Sequence, residues 1–301
     1  MRCGIPDGAQ VDGCWLGITI SEMETTVKER LRLVTSRQNA TVKQLRRSFS
    51  HGEVVDGYCA IEGLRMIEEA IRSGLKMRAI CFSKSGEVKA ERLLNQIAQN
   101  VEALLLPDDV FRSAVETEHP QGVAALVKVR QFGPDEVISG GAPLVLVAAG
   151  IQDPGNLGTM LRSAEAFRAS GVILTEKTVA QWNAKVVRAS AGSVFRVRTV
   201  EVRSAEILRF LHEHRIQTAA AVARNGVPIQ EFDFARPTAV LIGNEGAGVP
   251  KEIVNQADHR ICIPQAEPLE SLNAGIAASI ILYEATRQRS VHHRGTEAHR
   301  N

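Results

Sequence analysis

The chain has 301 residues, 44% of them hydrophobic, with 36 Lys and Arg against 34 Asp and Glu for a net charge of +2. That is enough apolar material for two ordinary cores, and a near-neutral balance excludes a protein that holds nucleic acid by bulk charge alone. No apolar run reaches the roughly 20 residues of a bilayer span, no secretory leader opens the chain, and five cysteines without a C-x-x-C pair suit reduced thiols rather than zinc or disulfides, so a cytoplasmic protein is expected.

Residues 1–27 are Gly-rich with isolated hydrophobics and read as a disordered leader. Between Lys28 and Arg47 seven basic residues stand against one acid, Glu29, which suits either phosphate neutralisation or a solvated helix face. From Gly57 the period alternates: a strand at Tyr58 to Ile61, a helix at Leu64 to Ser73, a strand at Met77 to Phe82 and a helix at Ala90 to Gln99. Strands at Val101 to Leu106 and Gly122 to Val129 follow, and Arg130 to Gly141, with its proline and closing glycines, reads as a linker. After Pro143, Leu144 to Ala149 is an unbroken apolar run of the kind buried parallel strands carry. A helix from about Leu157 to Arg168 precedes strands near Val172 to Leu174, Phe195 to Val200, Thr218 to Val222, Ala239 to Ile242 and Arg260 to Ile263. This alternation predicts an α/β protein with a mostly parallel sheet. The final helix, about Leu272 to Arg289, carries small residues on its first turns, so another backbone can approach it closely; residues 291–301 read as a disordered tail, and their histidines are assigned no site.

Three blocks stand where apolar strands stop: Asp153 to Arg162, Ile242 to Gly248, and Ile261 to Pro264 running into Glu270 to Asn273. Open α/β sheets place ligands at such strand ends. In the first block Asn156 occupies an expected N-cap, with Arg162 on a different face from Leu157, Leu161 and Ala164. Capping and an Arg162 to Glu165 ion pair would account for it structurally. A phosphate loop is excluded in practice, because Asn156 and Leu157 stand where Lys and Ser or Thr belong. The second block's glycines at 243, 246 and 248 run in the reverse order of the dinucleotide fingerprint. In the third, Ser271 and Asn273 open the last helix. Three loops that each offer one or two polar side chains among glycines fit a pocket better than three independent caps.

Taken together, DPGNLGTMLRSAEAF, IGNEGAG and IP followed by ESLNAGIAASIILYEATRQR resemble the SpoU/TrmH family of RNA ribose methyltransferases in the SPOUT superfamily. WNAKVVRASAGSVFRV at 182–197 resembles that family's middle segment, and SRQNATVKQLRR and GYCAIEGLRMIEEAIRSG resemble its N-terminal RNA-binding domain. The resemblance covers about residues 32–290 and departs at Gln265 and Glu267, where the family usually has Met and Gly. It implies an α/β fold with a C-terminal trefoil-knotted methyltransferase domain at 143–290, a linker at 130–142 and a smaller N-terminal α/β RNA-binding domain at 28–129.

The resemblance further implies methyl transfer from S-adenosylmethionine to a ribose 2′-hydroxyl of structured RNA, ribosomal RNA above all, by a homodimer with no metal. An RNA-binding assembly factor that kept the fold and lost catalysis is the alternative, favoured by Gln265 and Glu267 and opposed by the retained polar set. That catalytic set is Asn156, Arg162, Glu245, Ser271 and Asn273. Cofactor binding falls to Leu241, Ile242, Gly243, Gly246, Ile261, Ile263 and Leu272, and RNA binding to Arg37, Lys43, Arg46 and Arg47. A guanidinium is effectively always protonated, so Arg162 is read as a clamp on ribose or phosphate rather than a base, and Glu245 as an acceptor that orients its loop.

Overall fold

The computed structural model describes residues 29–115, 117–266 and 271–298; the expected leader, Glu267 and Glu270 lie outside them. The first half of the chain runs β1 (Arg32–Leu33), α1 (Ala40–His51), β2 (Tyr58–Glu62), α2 (Leu64–Arg72), β3 (Met77–Ser83), α3 (Ala90–Leu94), β4 (Glu102–Leu106), α4 (Asp108–Arg112) and β5 (Val123–Lys128). Its strands form one mixed sheet in the order β1-β4-β3-β5-β2, with β5 antiparallel to both neighbours. Helix α1 shows how sequence sets an element. Asn39 caps it by accepting from the Thr41 and Val42 N–H groups, and Gly52 ends it at φ +61°, a left-handed position that favours glycine. Val42, Leu45 and Phe49 fall on one face and are buried, each such side chain stabilising by about 1.5–3 kcal/mol.

The second half runs α5 (Pro134–Val137), β6 (Leu144–Ala149), α6 (Pro154–Ala166), β7 (Gly171–Leu174), α7 (Ala184–Ala189), β8 (Thr199–Glu201), α8 (Ser204–Glu213), β9 (Gln217–Ala221), β10 (Val227–Pro228), β11 (Thr238–Gly243), α9 (Lys251–Gln256), β12 (His259–Cys262) and α10 (Ala274–Ala298). Its sheet has seven strands in the order β10-β12-β9-β11-β6-β7-β8, and every pairing is parallel. β6 and β11 are buried along their whole length, as central strands covered on both faces must be. Alternation along β11 sends Val240 and Ile242 to one core and Ala239 and Leu241 to the other. Among the described residues, no helix is long and apolar enough to cross a membrane.

Four sequence expectations change. The strand expected at Phe195 to Val200 is mostly irregular: Gly192 at φ +93° opens a 3-10 turn at Ser193–Phe195, and β8 starts only at Thr199. Val194 and Val197 are nevertheless buried and Phe195 stacks on Trp182, so the alternation that mimicked a strand records burial of a loop. The stretch read as a linker is packed down, since α5 forms within it and Val137 and Ile138 are buried against the second sheet. α3 stops at Leu94 rather than near Gln99. Helix α10 continues to Ala298, through residues expected to be a disordered tail and past Gly295, because a polar composition and a single glycine do not by themselves end a helix.

The two sheets do not sit apart. One continuous cluster of buried hydrophobics includes Ile61, Ile67 and Phe82 from the first half and Leu146, Leu157 and Trp182 from the second. At the seam Arg196 is clasped by Glu69 of α2 and Glu165 of α6.

Candidate active site

The three blocks converge at the carboxyl ends of β6, β11 and β12. Asp153, not Asn156, caps α6: its Oδ1 accepts from the Asn156 N–H at 2.8 Å, and Pro154 takes the first helical position, where a missing N–H costs nothing. The expectation that Asn156 caps the helix is therefore corrected by three residues. The consequence is chemical. Asn156 sits inside the first turn, 7% exposed, with its amide free to donate to the Glu245 carboxylate across 89 residues of sequence. Glu245 thus orients the first block by holding Asn156.

The β11 loop is locked by its own backbone and by Asn244. Asn244 and Gly248 exchange backbone hydrogen bonds at 3.1 and 2.8 Å, and Asn244 Oδ1 accepts from the Gly246 N–H at 2.9 Å. Its Nδ2 donates to the Gly150 carbonyl at 3.2 Å, which ties this loop to the β6 loop. Sequence reading passed over Asp153 and Asn244 as site residues. An Asp-Pro pair before a helix and an Asn-x-Gly turn are the signals that would have found them. Gly243 is required by the loop's own packing: a Cβ there would stand 2.0 Å from the Gly248 carbonyl carbon and the Val249 nitrogen.

At the third block Asn273 caps α10, its Oδ1 accepting from the Ile276 N–H at 3.1 Å. Gly275 then lets α10 close on α6, since a Cβ would meet Thr159 at 3.0 Å and Asn156 Oδ1 at 3.3 Å. Ser163 and Ser279 hydroxyls are 2.7 Å apart further along the same contact. The small residues at the start of α10 serve this helix pair.

Between these loops lies a cavity of about 380 Å³. Of the residues expected to hold a cofactor, Ile242, Gly243, Gly246, Ile261, Ile263 and Leu272 line it, as do Glu245 and Ser271 from the catalytic set. Leu241 does not: its side chain is buried in the core on the far face of the sheet, as the two-residue period of β11 dictates. Asn156 and Asn273 stand at the rim through the contacts just described. Arg162 stands apart, exposed on the same stripe of α6 as Gly155, Thr159 and Ala166, and the expected ion pair is absent because Glu165 goes to Arg196. Among the described residues Arg162 has no hydrogen-bond or ion-pair partner. Of the four proposed RNA contacts, Lys43 and Arg47 are exposed and Arg37 pairs with Asp109 at 2.8 Å. Arg46 is half-buried and donates to the Ser113 carbonyl at 2.8 Å, so it braces α1 against α4.

A seven-stranded parallel sheet with a mixed apolar and polar pocket at its strand ends, packed on a second α/β unit, defines an α/β protein with a ligand-sized site where such sheets place one. Residues 143–283 match the model of the SpoU rRNA Methylase family, and residues 39–125 match that of the MRM3-like substrate binding domain. An uncharacterized tRNA/rRNA methyltransferase of Synechocystis is 36% identical over 85% of this chain and 93% of its own length. The 23S rRNA (guanosine(2553)-2′-O)-methyltransferase RlmP of Bacillus subtilis is 30% identical over 84% of this chain and 98% of its own. The crystal structure of the SpoU methyltransferase AviRb from Streptomyces viridochromogenes with AdoMet superposes with a TM-score of 0.72 at 29% identity, covering 84% of this chain and 98% of that one. The chain belongs to the SpoU methylase family and is a methyltransferase.

Proposed function

We propose that this protein transfers a methyl group from S-adenosylmethionine to a ribose 2′-hydroxyl of ribosomal RNA, as a cytoplasmic homodimer. The observation that carries the reading is the Asn156–Glu245 hydrogen bond, which joins the first and second blocks at the rim of the cavity. The cavity's make-up suits the cofactor. Ile242, Ile261, Ile263 and Leu272 offer an apolar slot for a flat ring, the glycine loop offers exposed backbone at its edge, and Gln265 brings a buried, unpartnered Oε1. When bound, S-adenosylmethionine supplies an electrophilic methyl group, which leaves the protein to align the hydroxyl and favour loss of its proton.

Arg162, exposed and unpaired, clamps the ribose or an adjacent phosphate and lowers the hydroxyl pKa electrostatically. Asn156, held by Glu245, presents an amide to the same hydroxyl. Asn273 and Ser271 complete the rim. The unit built on the first sheet, residues 28–129, binds RNA through Lys43, Arg47 and Arg37, while residues 143–290 carry the catalytic pocket. Retention of the whole polar set opposes the reading as an inactive assembly factor. The deciding experiment maps ribose methylation of total RNA in cells with and without the gene. One ribosomal 2′-O-methyl lost on deletion and restored by the wild type but not by Arg162→Ala is expected; an unchanged map would sink the proposal.

A further inference from the structure

Gln265 is one of the two residues at which this chain departs from the motif it otherwise follows, and the structure gives it an unusual position. Its Oε1 is buried, yet among the described residues it has no hydrogen-bond partner. Native proteins rarely leave a buried acceptor unsatisfied, and each exception calls for a ligand, a water or a function. Gln265 lines the cavity at the strand ends and also a smaller one beside it, formed with Ala223, Arg224 and Cys262.

The sheet order tells which part of a ligand it faces. Asn156 and Glu245 follow β6 and β11, whereas Gln265 follows β12, on the far side of β9. Three strand spacings separate β6 from β12, about 14 Å in the hydrogen-bonding direction. A cofactor whose reactive methyl lies near Asn156 therefore points its purine toward Gln265. Of the other polar side chains lining the cavity, Asn244 accepts from Gly246 and donates to Gly150 and Glu245 holds Asn156, while Ser271 is exposed ahead of α10. Where Gln265 lines the strand-end cavity its lining neighbours Ile263, Ala223 and Leu272 are apolar, and Arg224 lines only the smaller cavity beside it. That surface binds a flat ring but cannot tell one purine from another.

We propose that Gln265 reads the amino edge of the cofactor's purine, its Oε1 accepting from the exocyclic N6 amino group. The pocket thereby becomes selective for a 6-aminopurine. A carboxamide presents an acceptor and a donor side by side, the complement of adenine's amino group and adjacent ring nitrogen. Methionine, which the family usually carries here, would supply contact area without that discrimination. The inference rests on this cavity being the cofactor site.

Calorimetry with S-adenosylhomocysteine and with the analogue that bears hydrogen in place of the 6-amino group tests it. The wild type should bind the analogue about tenfold or more weakly, because the buried acceptor is left orphaned again. Gln265→Met should bind the two within about threefold of one another, and Gln265→Leu provides a second apolar variant should the first melt early. Wild type that treats the two ligands alike, or a folded apolar variant that keeps the wild-type preference, overturns the role of Gln265 while leaving the cofactor site in place. Wild type that binds neither ligand overturns the site itself and this inference with it.

Discussion

Arg162 and Gly243 are both motif residues, and the structure assigns them different kinds of necessity. Arg162 is exposed and makes no hydrogen bond or ion pair among the described residues, so its removal should leave the fold and the cavity intact. Arg162→Ala is expected to lower methyl transfer by on the order of a hundredfold or more while cofactor affinity by calorimetry stays within about threefold. Arg162→Lys should fail nearly as badly if a planar fork is used, and near-normal turnover of either variant would remove Arg162 from the reaction. Gly243→Ala should behave in the opposite way. Its Cβ would overlap the Gly248 and Val249 backbone, so the loop must open, taking Asn244 off Gly150 and Glu245 away from Asn156. Loss of cofactor binding together with a lower melting temperature is the expected pair of readings; unchanged affinity would mean the loop geometry does not matter to the pocket. The sequence marks Gly243 as a cofactor-loop residue but not the second constraint on it, because a glycine run reports only that backbone approaches something. Here the loop's own Gly248 and Val249 backbone is one such neighbour.

Elements were most legible where burial was one-sided or complete. Leu144 to Ala149 was read with its observed limits, because an unbroken apolar run that short has few alternatives in an α/β chain. Around residues 190–200 the same logic failed, since loop residues that are buried between two units alternate as strand residues do. Arg196 sits in that stretch and explains why it is buried there. Its guanidinium donates to Glu165 and to Glu69, so one side chain clamps α6 to α2 across the seam. Glu165 is held below the usual carboxylate range chiefly by the hydrogen bond from Arg196, and Glu69 by Arg72 first and then Arg196. Both carboxyl pKa values are depressed on folding, so their stabilisation is present above the ordinary carboxylate range and is lost as pH falls through the lowered values. Arg196→Ala is expected to cost about 1–3 kcal/mol near neutrality, with the difference from wild type shrinking at acid pH. Chemical denaturation at several pH values checks this; a pH-independent difference would assign the loss to packing instead.

At the scale of the whole molecule, the exposed basic side chains Lys43 and Arg47 lie on α1 of the first unit. Reversing Lys43 and Arg47 should weaken RNA binding uniformly across sequences and reduce the salt slope by about 0.7–0.9 per lost phosphate contact, whereas Arg46→Glu should mainly lower stability because its guanidinium is bound to Ser113. Unchanged RNA affinity in the double variant would make these lysine and arginine side chains an ordinary solvated face.

The chain path of a knot leaves no trace in hydropathy period, and assembly leaves little more, yet α10 carries one legible sign of it. Ile276 and Tyr283 are 50% and 56% exposed on a helix whose Ile281, Leu282 and Ala285 are already buried beneath it. Those two residues are seven apart, two turns of one stripe, and Ile280 between them is half-exposed. Tyr283 stands edge-on to Phe167 at the end of α6, 5.8 Å between ring centres, so the stripe borders the α6–α10 contact and still leaves more than half of the Tyr283 surface open, and Arg162 is exposed on the same neighbouring helix. A two-fold contact along this stripe would bury it against its own copy and bring each protomer's Arg162 toward the joint surface, repeating any substitution on both sides. Ile276→Glu should therefore cost a monomer no more than about 0.5 kcal/mol, as exposed substitutions do, but should convert a dimer to monomers and lower methyl transfer with it. Light scattering across micromolar concentrations, run beside the methylation assay, distinguishes the outcomes. A wild type that is monomeric and fully active would overturn the dimer, and an Ile276→Glu, Tyr283→Glu variant that stays dimeric would move the interface to another face.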